Sequence, residues 1–290
     1  MSKILVILDV RDPSNPVEAG KWWIPGQKTP EEDAIRDWEQ QPSFNRPIVR
    51  TEDGKWTKHV GMHYATVQDD VAYLSYHQGG LVILDVSDRS NPQLLSRTDY
   101  LLPGADDTNP DIAACQQAAG REEAACGNTH AAKRVPGTDL LMVSDEYFTC
   151  PYGHVRIYNV ADPRNPELLS HYLTDQNTLC DPASPMQPAD AARFPRRPAS
   201  SHLGNPLTDD IYLMAWYGNG VQAIDISDPT QPVSAGHFNY RIDRDLGGPE
   251  QAEYAGSDTY DVIPSEDGSY LFVSDGTSGL RVLRYTGDRD

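Results

Sequence analysis

The sequence is short of basic residues. Its 24 lysines and arginines face 43 aspartates and glutamates over 290 residues, a formal net charge of −19. A surface that reads phosphate backbones needs a basic patch, and no Lys/Arg-rich run occurs here, which argues against a nucleic-acid partner. Acidic balance of this size keeps a chain soluble and favours a cationic or neutral ligand over an anionic one. Long apolar runs are missing too: nothing approaches the roughly eighteen residues of a membrane helix, so no membrane span is expected. Catalytic signatures are absent, with no Gly-x-Ser-x-Gly elbow, phosphate loop, dinucleotide fingerprint or His-Glu-x-x-His helix. Asp106-Asp107 and Glu31-Glu32-Asp33 lack the spacing of a calcium loop and read as solvated acids.

Cysteine is scarce, with four in the chain. They fall into two close pairs, Cys115 with Cys126 and Cys150 with Cys180, which suggests disulfides pinning long loops in an oxidising compartment. Zinc is the rival reading, but none of the usual Cys-x-x-Cys or Cys/His spacings is present. The first ten residues hold one lysine and an apolar run broken by Asp9, and they match strands found later in the chain. They read as a strand and not as a signal peptide.

What the chain has instead is repetition. Gly80 to Pro92 reads GLVILDVSDRSNP, an apolar strand ending in a turn of Ser, Asp, Asn and Pro. The same word returns as ILVILDVRDPSNP from Ile4, VRIYNVADPRNP from Val155 and VQAIDISDPTQP from Val221, and its strand alone as LRVLRY from Leu280. Pro presets φ for a turn, Asp and Asn accept from nearby backbone N–H groups, and the preceding Gly supplies the positive φ needed to re-enter a sheet. The nearly continuous apolar run suits a strand covered on both faces. Flanking runs such as His63 to Gln68, Val71 to Tyr76 and Gln93 to Tyr100 complete four-stranded meanders.

The copies fall near residues 1–25, 60–100, 128–174, 200–240 and 257–287, so a single domain of residues 1–290 is expected. Turn aspartates Asp12, Asp88, Asp162 and Asp228 lie 76, 74 and 66 residues apart. A propeller blade needs only about 40 to 50 residues. The surplus occupies residues 25–60, 101–128, 175–200 and 241–257, always between a fourth strand and the next first strand. In a propeller that is one face, and loops gathered on a rigid scaffold are where ligand sites usually lie. Within the first of them, Thr29 to Gln41 carries a Thr cap, early acids and Ile35 and Trp38 three apart, which predicts a short surface helix.

These words resemble the LVIVD-repeat family, bacterial and archaeal β-propellers that are mostly exported and largely without an assigned biochemical function. The resemblance implies an all-β chain, a β-propeller of about five visible four-stranded blades, located outside the cytoplasm in an extracellular or periplasmic setting. Strands three and four stand at the start of this chain and strands one to three at its end, so the ring is expected to be incomplete or irregularly closed.

Aligning the copies on their first strands brings His63, His130 and His202 into register, with Asp258-Thr259-Tyr260 in the fifth copy. First strands of blades line a central channel, so three imidazoles at one level are candidate ligands for copper, zinc or iron, or candidate acid/base groups. The bland alternative is that each histidine hydrogen-bonds the backbone of a neighbouring blade, repeated because the blade repeats. His59, His77, His154, His171 and His237 fall outside that register and read as ordinary surface or turn residues. At the ends of the second strands the copies place Tyr76, Glu146, Trp216 and Asp275. Glu146 is a candidate base or metal ligand, while Tyr76, Trp216, Tyr217 and Tyr260 are candidates for an aromatic ligand wall. Blade packing is the competing role for Trp216, and turn capping for Asp145 and Asp275.

Two functions follow as expectations. One is an extracytoplasmic binding or scaffold protein that takes a small molecule, glycan or protein at the long-loop face and central channel. The alternative is an enzyme that uses the channel histidines, with Glu146, on a small organic substrate.

Overall fold

The computed structural model describes residues 3–24, 61–77, 79–98, 128–146, 152–178, 180–181, 184–188, 200–239 and 257–287. Among the described residues every regular element is a strand, apart from two short 3-10 turns, Asp175–Thr178 and Tyr217–Asn219. The helix predicted from Thr29 to Gln41 lies outside the described residues. So do Cys115, Cys126, Cys150 and the side chain of Cys180, and with them both predicted disulfides, together with most of the long connecting segments.

The chain divides into two compact units, Met1–Ala132 with Asp162–Pro166, and Lys133–Ala161 with Glu167–Asp290. In the first, β1 (Leu5–Asp9) pairs with β2 (Val17–Trp22), and β3 (Tyr64–Gln68), β4 (Val71–Ser75), β5 (Leu81–Asp85) and β6 (Gln93–Thr98) form an antiparallel meander in chain order. Ala72, Leu74, Tyr76, Val82, Leu84 and Val86 of the meander pack with Leu5 and Ile24 of the first copy into one core.

β7 (Thr129–Arg134) begins in the first unit and ends in the second, completing the sheet β10-β9-β8-β7 with β8 (Leu140–Asp145), β9 (Val155–Asn159) and β10 (Glu167–Tyr172). A small hairpin follows, β11 (Cys180–Asp181) with β12 (Ser184–Pro188), in a segment that the sequence presents as loop. β13 (Ser201–Pro206), β14 (Ile211–Trp216), β15 (Gly220–Asp225) and β16 (Val233–Phe238) form the next meander, and β17 (Thr259–Pro264), β18 (Leu271–Asp275) and β19 (Gly279–Leu283) a three-stranded sheet. Four strands per copy therefore hold for the three middle copies, while the first shows two and the last three.

Strand β14 explains the nearly continuous apolar runs. Tyr212, Met214 and Trp216 pack against the third copy, with Val155, Ile157 and Tyr172. Ile211, Leu213 and Ala215 point the other way and pack against the fifth copy, with Val262, Leu271 and Val273. Alternate residues of one strand thus serve two cores, as the period of two demands.

The turn after each third strand is two Asx turns in succession. Asp9, Asp85, Asn159 and Asp225 each accept from the backbone N–H two residues on, at 2.8 to 3.0 Å. Asp12, Asp88, Asp162 and Asp228 then repeat the device at 2.9 to 3.1 Å. Four of the five copies enter the third strand through a glycine or beside one, and Gly80, Gly220 and Gly279 hold φ of 82°, 73° and 75° there. The register of every fourth strand then shifts by one residue, opposite Ile7, Ile83, Ile157 and Ala223. The residue just beyond each shift, Gly20, Ser96, Ser170 or Gly236, stands at the same place in the copy. Ser96 Oγ donates to the Pro163 carbonyl at 2.7 Å and Ser170 Oγ to that of Pro229 at 2.6 Å, in each case at the next copy's turn. Gly20 meets the corresponding Arg89 carbonyl so closely that a Cβ there would lie 2.0 Å from it.

Candidate ligand and metal site

Each first-strand histidine sits at the opening of its strand, where the chain arrives from a long segment. In the first unit, His63 Nδ1 lies 3.1 Å from the His130 carbonyl, and the two rings stack at 4.0 Å. His77 joins them with its ring 4.8 Å from that of His63. It is buried, in the left-handed region at φ 49°, and its backbone exchanges two hydrogen bonds of 3.0 Å with Thr129. Of the two expectations for His77, surface or turn residue, the turn holds, since the Gly80 N–H donates to its carbonyl at 3.0 Å, and the surface does not. Nothing in its sequence neighbourhood, a Gly-rich turn, distinguishes it from a solvated histidine.

In the second unit, the His202 Nδ1 contacts the carbonyl of Tyr260, the residue at the same level in the next copy. A carbonyl can only accept, so Nδ1 carries the proton and Nε2 is the basic nitrogen. Ser144 Oγ donates to the His202 carbonyl and fixes the strand beneath it. The His202 ring packs 4.7 Å from Tyr217 and 5.3 Å from Tyr260, and the two tyrosines meet edge to face at 5.2 Å. Tyr217 Oη donates to Glu146 Oε1 at 2.5 Å, a charge-assisted bond that holds the carboxylate in place. Glu146 and His202 bring a carboxylate oxygen and an imidazole nitrogen within 4.8 Å of each other. Glu146 and Tyr260 are partly exposed, while His202 and Tyr217 are buried. The result is a half-open cluster of one carboxylate, one imidazole of set tautomer and two phenols.

The level assigned to Glu146 needs correction. Ser75, Ser144, Ala215 and Ser274 face equivalent residues near the start of the third strands, Leu81, Val155, Val221 and Leu280. The next position is therefore Tyr76, Asp145, Trp216 and Asp275, and Glu146 lies one residue further, level with His77 and Tyr217. Asp145 forms a buried ion pair with Arg156. Asp275 is a turn acceptor as expected, taking the N–H groups of Thr277 and Ser278 at 2.9 and 2.8 Å.

Two candidates for the aromatic wall fall elsewhere. Tyr76 and Trp216 are wholly buried. Tyr76 meets Trp22 edge to face at 5.8 Å, and burial pushes its phenol pKa up. Trp216 does the same with Tyr172 at 5.9 Å, inside the core between the third and fourth copies. Both are packing residues. Tyr217 and Tyr260 remain at the cluster.

The LVIVD repeat is found at residues 2–22, 66–99 and 213–240. Comparison with curated protein sequences gives no match. Among solved structures the chain is similar to the β-propeller domain of Myceliophteria thermophila Cps50 (Swd1). The TM-score is 0.50 at 11% identity, over 97% of this chain and 64% of that one. It also matches the computationally designed Ika4 protein, at 9% identity and a TM-score of 0.42, over 83% of this chain and 99% of that one. A third match is the C-terminal WD40 domain of Sif2, at 12% identity and a TM-score of 0.44, over 79% of this chain and 47% of that one. At these identities the likeness concerns fold alone, and the chain spans less than two thirds of the Cps50 and Sif2 chains. With its antiparallel meanders and its three matched stretches, the chain carries LVIVD repeats on a β-propeller fold.

Proposed function

We propose that the chain is an extracytoplasmic binding propeller whose site is the cluster of Glu146, His202, Tyr217 and Tyr260. The observation that carries this reading is the hydrogen bond from Tyr217 to Glu146 beside a His202 whose Nδ1 is committed to a backbone carbonyl. A carboxylate oxygen and an imidazole nitrogen within 4.8 Å of each other, in a chain of net charge −19, suit a small cationic occupant. Divalent copper, zinc or iron is the simplest one, since imidazole and carboxylate are ligands for all three. The long segments are the place for a larger small molecule, a glycan or a protein, and the paired cysteines support a setting outside the cytoplasm. The test is elemental analysis after reconstitution with each ion and gel filtration. Uptake that Glu146→Gln and His202→Ala each lower by about one equivalent supports the reading, and uptake indifferent to both sinks it.

A second reading is an enzyme acting on a small organic substrate. It is favoured by the same pair, because a basic imidazole nitrogen beside a carboxylate is an acid/base couple. Hydrolysis of p-nitrophenyl acetate by the reconstituted protein, lost in His202→Ala, would favour it; no rate above that of the free ion would favour binding alone.

A further inference from the structure

His154 and His171 lie in the second unit, away from the first-strand level, and neither follows the repeat. His154 immediately precedes β9, and His171 stands in β10 facing Arg156 across the ladder. His154 Nε2 and His171 Nδ1 are 3.1 Å apart, with ring centroids at 5.2 Å and planes at 55°. Two imidazole nitrogens bound to one tetrahedral zinc at the usual bond length are separated by about 3.3 Å. The pair is therefore spaced as two ligands of one ion are, and turning the two rings from facing each other to facing an ion is the change that binding requires.

His171 also lines a cleft of about 620 Å³ together with Asp175, Asn219, Gln222 and His237. Asp175 and His237 are acidic and imidazole groups on its wall, and among the described residues no lysine or arginine lines it. The nearby Arg156 has its charge matched by the buried carboxylate of Asp145. The walls are firm. Asn177 ties the end of β10 to the start of β9 through hydrogen bonds to Thr174, Tyr152 and Gly153, at 2.8 to 3.0 Å. Asn219 Nδ2 reaches Thr174 Oγ1 at 3.2 Å, and Asn239 joins Asn219 on the opposite side.

We infer that His154 and His171 form a two-imidazole site for a divalent transition-metal ion, reached through this cleft and distinct from the Glu146 and His202 cluster. On binding, the ring that donates the shared proton moves it to its other nitrogen, so both facing nitrogens present lone pairs to the ion, and cleft water fills the remaining positions. A two-histidine site with open positions binds zinc more loosely than a closed four-ligand site and leaves room for a further ligand.

The test uses the full chain with Glu146→Gln and His202→Ala already introduced, so that the other cluster is silent. Zinc is titrated calorimetrically and the bound metal counted after gel filtration. The inference expects about one equivalent bound in this background. His171→Ala, at the half-buried partner, should reduce it to background while far-UV circular dichroism is unchanged, and His237→Ala should weaken it less. Zinc uptake unaffected by His171→Ala would overturn the inference. So would a background protein that, correctly folded, takes up no zinc at all, and neither result bears on the Glu146 and His202 site.

Discussion

Gly220 shows how far one residue can be fixed by its surroundings. Its φ is 73°, and a Cβ there would lie 2.1 Å from the Phe238 carbonyl. Gly137 has a similar φ of 77° with nothing within 4 Å of the same atom. Gly137→Ala should therefore cost about 1 to 2 kcal/mol of stability, from the left-handed conformation alone. Gly220→Ala should cost clearly more, because a backbone carbonyl must also move; urea unfolding of the two variants measures the difference, and equal losses would refute this reading of Gly220. His202 makes the analogous point for function. Its hydrogen bond to the next copy's backbone is what the bland reading of a repeated histidine anticipates, and it also sets the tautomer that a ligand needs. The alignment of His63, His130 and His202 was legible because the blade repeats. His77, His154 and the level of Glu146 were not, because their placement depends on turn geometry and on where each second strand stops, for which residue type gives no cue.

Among elements, the apolar strands were legible and the irregularities were not. LVILD at β5 and IYLMAW at β14 announce strands covered on both faces, and both are. The register shift in every fourth strand had no signature in the displaced residue; the trace it leaves is the small residue that follows, Gly20, Ser96, Ser170 or Gly236. That pattern is meaningful only once the contact with the next turn is known. Ser170→Ala should cost about 0.5 to 1.5 kcal/mol by removing the hydroxyl donor to Pro229, and Ser96→Ala a similar amount at Pro163. No loss in either would mean that the register shift alone positions the turn. The burial of equivalent positions differs between copies. Leu84 is wholly buried, whereas its counterpart Leu8 in the first copy is 52% exposed. Leu84→Ala is expected to cost about 2 to 5 kcal/mol and Leu8→Ala much less, as read from thermal or urea unfolding.

At the scale of the whole molecule, part of the acidic excess sits in the turns. Asp9 is held down at about 2, chiefly by hydrogen bonds from Arg11, and Asp267 also at about 2, chiefly by the Ser265 hydroxyl. Asp12, Asp85, Asp88, Asp225 and Asp228 are lowered in the same way by the Ser or Thr two residues on. A carboxyl whose folded pKa lies below its unfolded value stabilises the fold above the unfolded value and loses that contribution as pH falls through the folded one. Stability should thus be nearly level from neutral pH down to about 5 and decline between about pH 4 and 2. Urea midpoints across that range check it, and a decline centred near pH 6 would assign the effect to histidine instead.

The propeller fold was legible in the repeated word, whose turn chemistry has one reading. The site was legible only as a set of residue types, since convergence of Glu146, Tyr217 and His202 depends on three strand ends that no short-range pattern connects. The most direct test of the account is the metal content of the purified, untagged chain after reconstitution with copper, zinc or iron, compared with the Glu146→Gln and His202→Ala variants. Each variant is expected to hold about one equivalent less than the parent with its fold intact. Equal metal content in parent and variants would contradict the central claim that this cluster is the binding site.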